Sequence, residues 1–230
     1  MSKVVNNILY LSNEMIESHA SEDLLKFQKV TGHPLAFPIY PEEVLRNIWG
    51  IQVEYLDRVK SLEGEEVLAC FMPGTHSVRL NNSMHSVEGS VTFSIAHETG
   101  HVSLHNFLSD LKEKPTFCEG SIFGRKALKT IERQADRYAS ALLIPQYVLM
   151  PKLESIGWSL GKKLDLQLHG RPLKEYFGVS FEALERRLGF FGIPTIGGFY
   201  NIPSKKIKNV VFEKMEEERA SWALYDKRRA

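Results

Sequence analysis

The sequence FSIAHETGHVSLH, residues 93–105, contains three histidines and one glutamate within nine positions. These are His97, Glu98, His101 and His105, and the first three form the pattern H-E-x-x-H. The apolar residues of the stretch recur near one helical stripe, so we predict a buried or half-buried helix from about Val91 to Asn106. Such a helix is either part of a metal site or a helix with incidental histidines.

The spacing within this pattern favours metal-dependent hydrolysis. Residues four apart lie one above the other on a helix, so the imidazoles of His97 and His101 can reach one ion about 2 Å away. Glu98 then lies beside the ion, where it can take a proton from bound water and give it to the leaving amine. Two histidines with a carboxylate and an open position most often indicate Zn²⁺. Burying the three groups without a partner costs several kcal/mol, which argues against an incidental pattern.

A third ligand is expected elsewhere in the chain, and Glu132 is the best candidate. Glu132 and Asp136 are four residues apart on a strongly predicted helix, so they share a face. Glu132 can complete the coordination, and Asp136 can accept a hydrogen bond from the ring N–H of a ligand histidine. The alternative is that both residues belong to a solvated helix face.

Three other residues remain as rival third ligands. Glu119 and Cys118 lie in a predicted loop over residues 109–124, without a supporting pattern. His105 lies one turn beyond His101 on the same helix face, and we predict that it packs or acts behind the ligands rather than binding the metal.

The two segments VTFSIAHETGHVSLH and ERQADRYASALLIP together resemble the ImmA/IrrE family of zinc metallopeptidases. In that family a phenylalanine precedes an H-E-x-G-H run, a Leu-His pair follows, and an E-x-x-A-(Asn/Asp) helix ends in Leu-Leu-x-Pro. The sequence departs mildly at Thr99, Tyr138 and Ile144, where Leu, Phe and Met are usual. The resemblance covers roughly residues 35 to 195.

The resemblance implies a gluzincin-like α+β fold. This is a zincin-like metallopeptidase domain with a small sheet packed on the H-E-x-x-H helix, followed by a mainly helical C-terminal part. It implies His97, His101 and Glu132 as Zn²⁺ ligands and Glu98 as catalytic base. It also implies a protein substrate, a helix-turn-helix repressor encoded nearby, whose cleavage relieves repression on a mobile element or in a stress response.

Three regions are predicted along the chain: an N-terminal helical segment (1–30), the metallopeptidase domain (31–150) and a small helical domain (151–230). The last boundary rests partly on charge, because residues 1–150 carry 14 Lys+Arg against 18 Asp+Glu and residues 151–230 carry 15 against 10.

Patterning predicts a set of individual elements along these regions. The predicted helices are residues 3–30, 42–49, 127–145, 146–156, 160–168, 172–177, 180–188 and the segment from about Phe212. The predicted strands are residues 51–56, 65–73 and 77–82, the last two forming a hairpin.

Two features of substrate binding are open at this point. The predicted strand Val67–Pro73 can bind an extended peptide at its edge by adding a strand. Tyr138, Tyr147, Tyr176 and His169 are all of a type that stabilises an oxyanion, and the sequence does not choose among them.

Two further functions compete with proteolysis. Residues 172–188 read as a helix-turn-helix, which suggests a DNA-binding regulator. Its second helix carries Glu182 and Glu185 as well as Arg186 and Arg187, and this lack of net positive charge argues against direct nucleic-acid binding. A non-proteolytic regulatory or antitoxin-type protein is the other alternative, although such a scaffold has no need of Glu98.

Composition indicates a cytoplasmic protein without a membrane segment. The net charge is +1, which gives no general argument for nucleic acid or anionic membrane as partner. Two cysteines without CxxC spacing fit a reducing compartment. No window approaches the roughly 20 apolar residues that span a bilayer, and the N-terminal apolar run is too short for a signal peptide.

Overall fold

The computed structural model describes residues 4–5, 8–60, 64, 66–84, 89–105 and 125–197. Within these residues the helices are α1 (Asn13–Thr31), α2 (Pro41–Trp49), α3 (Ser90–His105), α4 (Arg125–Leu143), α5 (Gln146–Ser155), α6 (Leu166–Phe177) and α7 (Phe181–Phe190). The strands are β1 (Val4–Val5), β2 (Ile8–Leu9), β3 (Gln52–Leu56), β4 (Ala69–Met72), β5 (Ser77–Asn81), β6 (Leu164–Asp165) and β7 (Thr195–Ile196). The chain is therefore α+β, as predicted. No described helix is long and apolar enough to cross a lipid bilayer.

The chain divides into two compact units. The first comprises Met1–Pro145 with Glu175–Ser180, and the second comprises Gln146–Lys174 with Phe181–Ala230. Compactness does not test independent folding, so domain boundaries near residues 30 and 150 remain a prediction.

A three-stranded sheet in the order β3-β5-β4 forms one layer of the first unit. Gly50 ends α2 in the left-handed conformation (φ 68°), which suits a residue without Cβ, and β3 begins two residues later. β3 pairs with β5 in parallel, whereas β4 and β5 form the predicted antiparallel hairpin. β4 is consequently an edge strand of this sheet.

Helix α3 packs against β4 and β5, and α4 packs against α3. Alternate residues of β4 point to opposite faces, so Phe71 joins the core beneath the helices while Cys70 and Met72 pack with Val59 on the other face. The core beneath the helices consists of Leu45, Ile51, Ala69, Phe71, Val78, Leu80, Ile95, Val102, Ala127 and Ile131. The small sheet thus lies on the helix with the H-E-x-x-H pattern, as expected.

The first helix is shorter than the predicted span of residues 3–30. α1 begins at Asn13, because the Ser12 side chain accepts a hydrogen bond from the backbone N–H of Met15 and caps the helix. Before it, β1 and β2 form a short antiparallel pair. The apolar run in this segment is therefore extended and not helical.

A buried carboxylate attaches α1 to the two site helices. Asp23 is 2% exposed and accepts hydrogen bonds from Ser103 Oγ of α3 and Tyr138 Oη of α4. Lys26, on the exposed side, donates to it at 2.9 Å. Burial of the hydroxyl and the nearby Asp23 raise the pKa of Tyr138 well above its usual value. The tyrosine that replaces the usual phenylalanine of the family thus has a specific partner on α1.

Two helices predicted for the second unit, residues 160–168 and 172–177, differ from the structure. Residues 160–168 do not form one helix, because the chain turns at Gly161 and then forms β6, which pairs in parallel with β7. Asp165 Oδ1 accepts from the backbone N–H of Gln167 and Leu168 and starts α6 there, so that helix begins six residues before Pro172. Gly170 of α6 lies so close to Phe181 of α7 that an added Cβ would meet its ring at 2.8 Å.

Some predicted features lie outside the described residues. These are the loop at 109–124 with Cys118 and Glu119, and the helix expected from about Phe212.

We predict that the Asp23 contacts contribute measurably to stability. Asp23→Ala should lower the free energy of unfolding by about 3 kcal/mol, because the buried Tyr138 hydroxyl and the half-buried Ser103 hydroxyl lose their acceptor. Tyr138→Phe should cost about 1 kcal/mol. Lys26→Ala is the control, since its amine is mainly exposed and the loss should be under about 1 kcal/mol. Denaturant unfolding measures all three, and an Asp23→Ala protein as stable as Lys26→Ala would contradict the assignment.

Candidate metal centre

Helix α3 presents the side chains of His97 and His101 toward α4. His97 and His101 are one turn apart, with their Nε2 atoms 3.0 Å from each other. His101 is fully buried, whereas the His97 side chain is 18% exposed. One face of the pair is thus open to solvent.

The close approach of the two helices depends on Gly100. A Cβ added there would meet Ala135 Cα at 3.0 Å, Ala135 O at 3.1 Å and Tyr138 Cβ at 3.2 Å. Two of these atoms are backbone and cannot move without moving α4. The small residues at 100 and 135 therefore let the helices approach closely enough for Glu132 to reach both histidines.

Glu132 completes a three-ligand arrangement. Its Oε2 lies 3.2 Å from His97 Nε2, and its Oε1 lies 3.7 Å from His101 Nε2. One ligand atom from each of the three residues lies within 4.8 Å of the others. Ligands about 2.05 Å from a tetrahedral ion are separated by about 3.3 Å, close to these spacings. The three residues can therefore hold a metal ion.

Hydrogen bonds on the far side of each imidazole orient the rings. His97 Nδ1 lies 2.9 Å from Asp136 Oδ1, and His101 Nδ1 lies 3.2 Å from His105 Nδ1. An ionised carboxylate only accepts, so His97 donates from Nδ1 and keeps a lone pair on Nε2 for a metal. The structure thus brings Asp136 and His105 to the positions suggested for residues that support the ligands.

The charges of the site also fit a cation. Burial lowers the pKa of His97, but hydrogen bonds to Asp136 and Glu132 outweigh it and raise that pKa to about 10. Burial, with His97 and His105 nearby, keeps the pKa of His101 well below its usual value. Two Nε2 lone pairs 3.0 Å apart repel unless a proton or a metal ion lies between them. A metal ion can replace the proton that His97 otherwise holds.

Glu98 is held between α3 and the sheet edge. Its side chain is 3% exposed, and its Oε2 accepts a hydrogen bond from the backbone N–H of Phe71 at 2.8 Å. Burial raises the pKa of Glu98 to about 7, against the opposing effect of His97. A carboxylate with a pKa near neutrality is suited to exchanging protons.

Sequence patterns did not identify every residue of this site. Gln134, whose Oε1 contacts His105 Nε2 at 2.8 Å, and the Phe71 N–H were missed. The position of Gln134 between Glu132 and Asp136 was the available signal, whereas a backbone donor has no sequence signal. Tyr138 is unsuited to oxyanion stabilisation, because its buried hydroxyl donates to Asp23.

The matched family agrees with this fold and site. Residues 50–189 match the model of the peptidase M78 family, described as the IrrE N-terminal-like domain. The match covers more than half of the chain and includes all three metal-site residues. The chain therefore belongs to the IrrE N-terminal-like family, and the resemblance to ImmA/IrrE proteins is confirmed.

Solved structures share this fold, and one of them can be compared in detail. It is described as a Mycobacterium tuberculosis transcriptional regulator, and it aligns with 77% of this chain at 19% identity and a TM-score of 0.50. The alignment covers 48% of that protein, so this chain spans about half of its length. The search of curated proteins found no significant match.

We predict that Gly100→Ala weakens metal binding. The added methyl must displace α4 by a few tenths of an ångström, which moves Glu132 relative to both histidines. Alanine itself favours a helix by about 1 kcal/mol, so the stability change should be small while metal affinity falls about tenfold or more. Chelator competition measures the affinity. Gly74→Ala, in the turn of the β4–β5 hairpin, is the control, because an added Cβ there meets no atom within 4 Å. Metal affinity equal to the parent in Gly100→Ala would contradict this account.

Above about pH 7 the metal-free protein should lose stability as pH rises. The folded-state pKa of His97 is about 10 against 6.5 unfolded, so its contribution is complete below pH 6.5 and is lost as pH rises through about 10. The pKa of Glu98, raised from 4.5 to about 7, adds a decrease between those values, which the lowered pKa values of His101 and His105 oppose. Denaturant unfolding with a chelator present tests this, and His97→Gln should flatten the upper part of the profile. Stability that increases from pH 7 to 10 would contradict the assignment.

Proposed function

We propose that this protein is a zinc-dependent endopeptidase with a zincin-like catalytic domain, which hydrolyses a peptide bond in a protein substrate. The single observation that carries the proposal is the convergence of His97, His101 and Glu132 with Glu98 beside them. Membership of the M78 peptidase family supports the same reading. The set of two imidazoles and one carboxylate, with an exposed side, is typical of catalytic zinc.

In this proposal His97 Nε2, His101 Nε2 and a Glu132 oxygen hold the zinc ion. A zinc ion bound there supplies Lewis acidity, which polarises a carbonyl and lowers the pKa of water toward about 7. Asp136 holds the His97 ring through Nδ1 at 2.9 Å and keeps its Nε2 directed at the ion.

Glu98 acts as the general base and then as the general acid. Its carboxylate takes a proton from the attacking water and delivers it to the amine that leaves. The Phe71 N–H bond keeps the carboxylate in place at 2.8 Å, and the raised pKa of about 7 permits both the uptake and the release of a proton at neutral pH.

The substrate binds in extended form along β4. Asn81 N–H donates to Leu68 O, so in the antiparallel pair Leu68, Cys70 and Met72 direct their backbone groups toward β5. The backbone groups of Ala69 and Phe71 then face away from the sheet, on the side where Phe71 contacts Glu98. A peptide that adds to this edge runs past the catalytic carboxylate.

We propose a helix-turn-helix repressor as the substrate, encoded near this protein. The first support is that the chain belongs to the IrrE N-terminal-like family, because resemblance to ImmA/IrrE proteins implies such a target. The second is that a protein of similar fold is described as a transcriptional regulator. A repressor that presents a segment in extended form can meet the β4 edge, whereas folded helices cannot.

Direct DNA binding through residues 172–188 has less support. Arg187 of α7 is fully buried, and its guanidinium stacks on the ring of Phe191 at 4.6 Å. Arg186 pairs with Glu182 on the same helix. Neither arginine is presented as an unneutralised charge, so the helix lacks the phosphate contacts that dominate DNA affinity.

We predict that Glu98→Gln abolishes cleavage and retains zinc. The amide fits the same space but cannot accept a proton, so cleavage of the adjacent-gene repressor should fall at least about 100-fold. Zinc content should stay at one equivalent per chain, measured by metal analysis. His101→Ala is the comparison variant, and it should lose zinc and activity together.

The same pair of variants separates proteolysis from the alternative of a non-proteolytic binding protein. Repression relieved equally by the parent and by Glu98→Gln would favour the antitoxin-type alternative. Cleavage by Glu98→Gln at the parent rate would show that the mechanism is wrong.

A further inference from the structure

Behind His101 lies a chain of two hydrogen bonds that ends on α4. His101 Nδ1 is 3.2 Å from His105 Nδ1, and His105 Nε2 is 2.8 Å from Gln134 Oε1. His101 and Gln134 are fully buried and His105 is 2% exposed. These contacts therefore form away from bulk water, which cannot substitute for them.

We propose that His105 and Gln134 are positioning residues that fix His101 in the tautomer whose Nε2 lone pair faces the metal. The proposal rests on the proposed metal site. It states which atom donates in the His101–His105 and His105–Gln134 hydrogen bonds. Neither residue touches the metal or the substrate, so each acts only through His101.

The direction follows from the donors and acceptors. A neutral imidazole has one N–H and one lone pair, and an amide oxygen only accepts. With Gln134 Oε1 toward the ring, His105 donates from Nε2 and keeps its lone pair on Nδ1. His101 must then donate from Nδ1, which leaves Nε2 unprotonated for the metal.

The opposite direction does not permit metal binding. If the amide nitrogen of Gln134 faced His105, that ring would accept at Nε2 and donate from Nδ1. His101 would accept at Nδ1 and carry its proton on Nε2, where a ligand needs a lone pair. The orientation of one amide on α4 thus decides whether His101 can be a ligand.

Burial explains why a neutral amide, Gln134, supports His101 whereas a carboxylate, Asp136, supports His97. Asp136, which supports His97, is an exposed carboxylate and remains hydrated. A charge at position 134 would be fully buried, which is costly without a paired charge. A neutral amide gives the same acceptor without placing a charge there.

Histidine tautomers can be read directly by long-range ¹H–¹⁵N correlation spectra of the ¹⁵N-histidine-labelled full chain, without metal and with one equivalent of zinc. We expect His105 to be protonated on Nε2 in both spectra and His101 to be protonated on Nδ1 with zinc bound. Spectra of His105→Leu and His101→Leu assign the signals. His105 protonated on Nδ1 in either spectrum overturns the proposal.

Zinc affinity by chelator competition tests the role of Gln134. Gln134→Leu has a similar volume without an acceptor, and we expect zinc to bind about 10- to 100-fold more weakly. Gln134→Glu restores an acceptor, so it should bind zinc more tightly than Gln134→Leu although the buried charge lowers its stability. A purely structural role would give the reverse order.

Tyr138→Phe is the matched control, because it removes a buried hydrogen bond one turn further along α4 that does not reach a histidine. Its zinc affinity should equal that of the parent. Parent-like affinity in Gln134→Leu overturns the proposal. A parent protein that binds no zinc refutes the proposed function instead, and the metal-free spectrum still decides the His105 tautomer.

Discussion

The contact between α3 and α4 at Gly100 and Ala135 is the constraint on which the rest of this site depends. With an added Cβ only 3.0 Å from the α4 backbone, the two helices are as close as their backbones allow. This separation brings the ligand atoms to 3.0–3.7 Å from one another, near the edges of a zinc tetrahedron. A larger residue at position 100 would push α4 away and move Glu132 relative to both histidines.

Hydrogen bonds around the site fix the orientations of the His97, His101 and Glu98 side chains. Asp136 and the His105–Gln134 pair accept hydrogen bonds on the far side of His97 and His101, and the Phe71 N–H holds Glu98. Two of these three supports come from α4, which also supplies Glu132. The single segment ERQAD therefore provides Glu132, which can bind a metal ion, and the two supporting side chains of α4, Asp136 and Gln134. The buried one of the two is an amide because a buried charge would be costly.

Much of the fold and the site was predictable from local pattern. Glycine and proline positions, together with helical periodicity, predict α2, the β4–β5 hairpin, α3 and α4. The position of the two histidines on one helix face follows from their i, i+4 spacing. The errors have physical reasons. Helix α1 begins later than the composition of residues 3–30 suggests, because Ser12 caps it. Strand β6 forms at Leu164–Asp165 because a distant strand, β7, pairs with it. A pairing between residues 31 positions apart leaves no local signal.

The sequence alone determined the chemical groups of the site and their places on two helices, because ligand spacing repeats with the helical turn. Only the tertiary structure decided which groups meet. Gln134 reads as an ordinary polar residue until α4 lies against α3 and places its amide on His105. Asp23 reads as a surface charge of α1 until that helix packs on α4 and buries it beside Tyr138. Gln134 and Asp23 each act through a hydrogen bond to a neighbouring helix. Such a bond depends on how the helices pack and cannot be read from spacing along one helix.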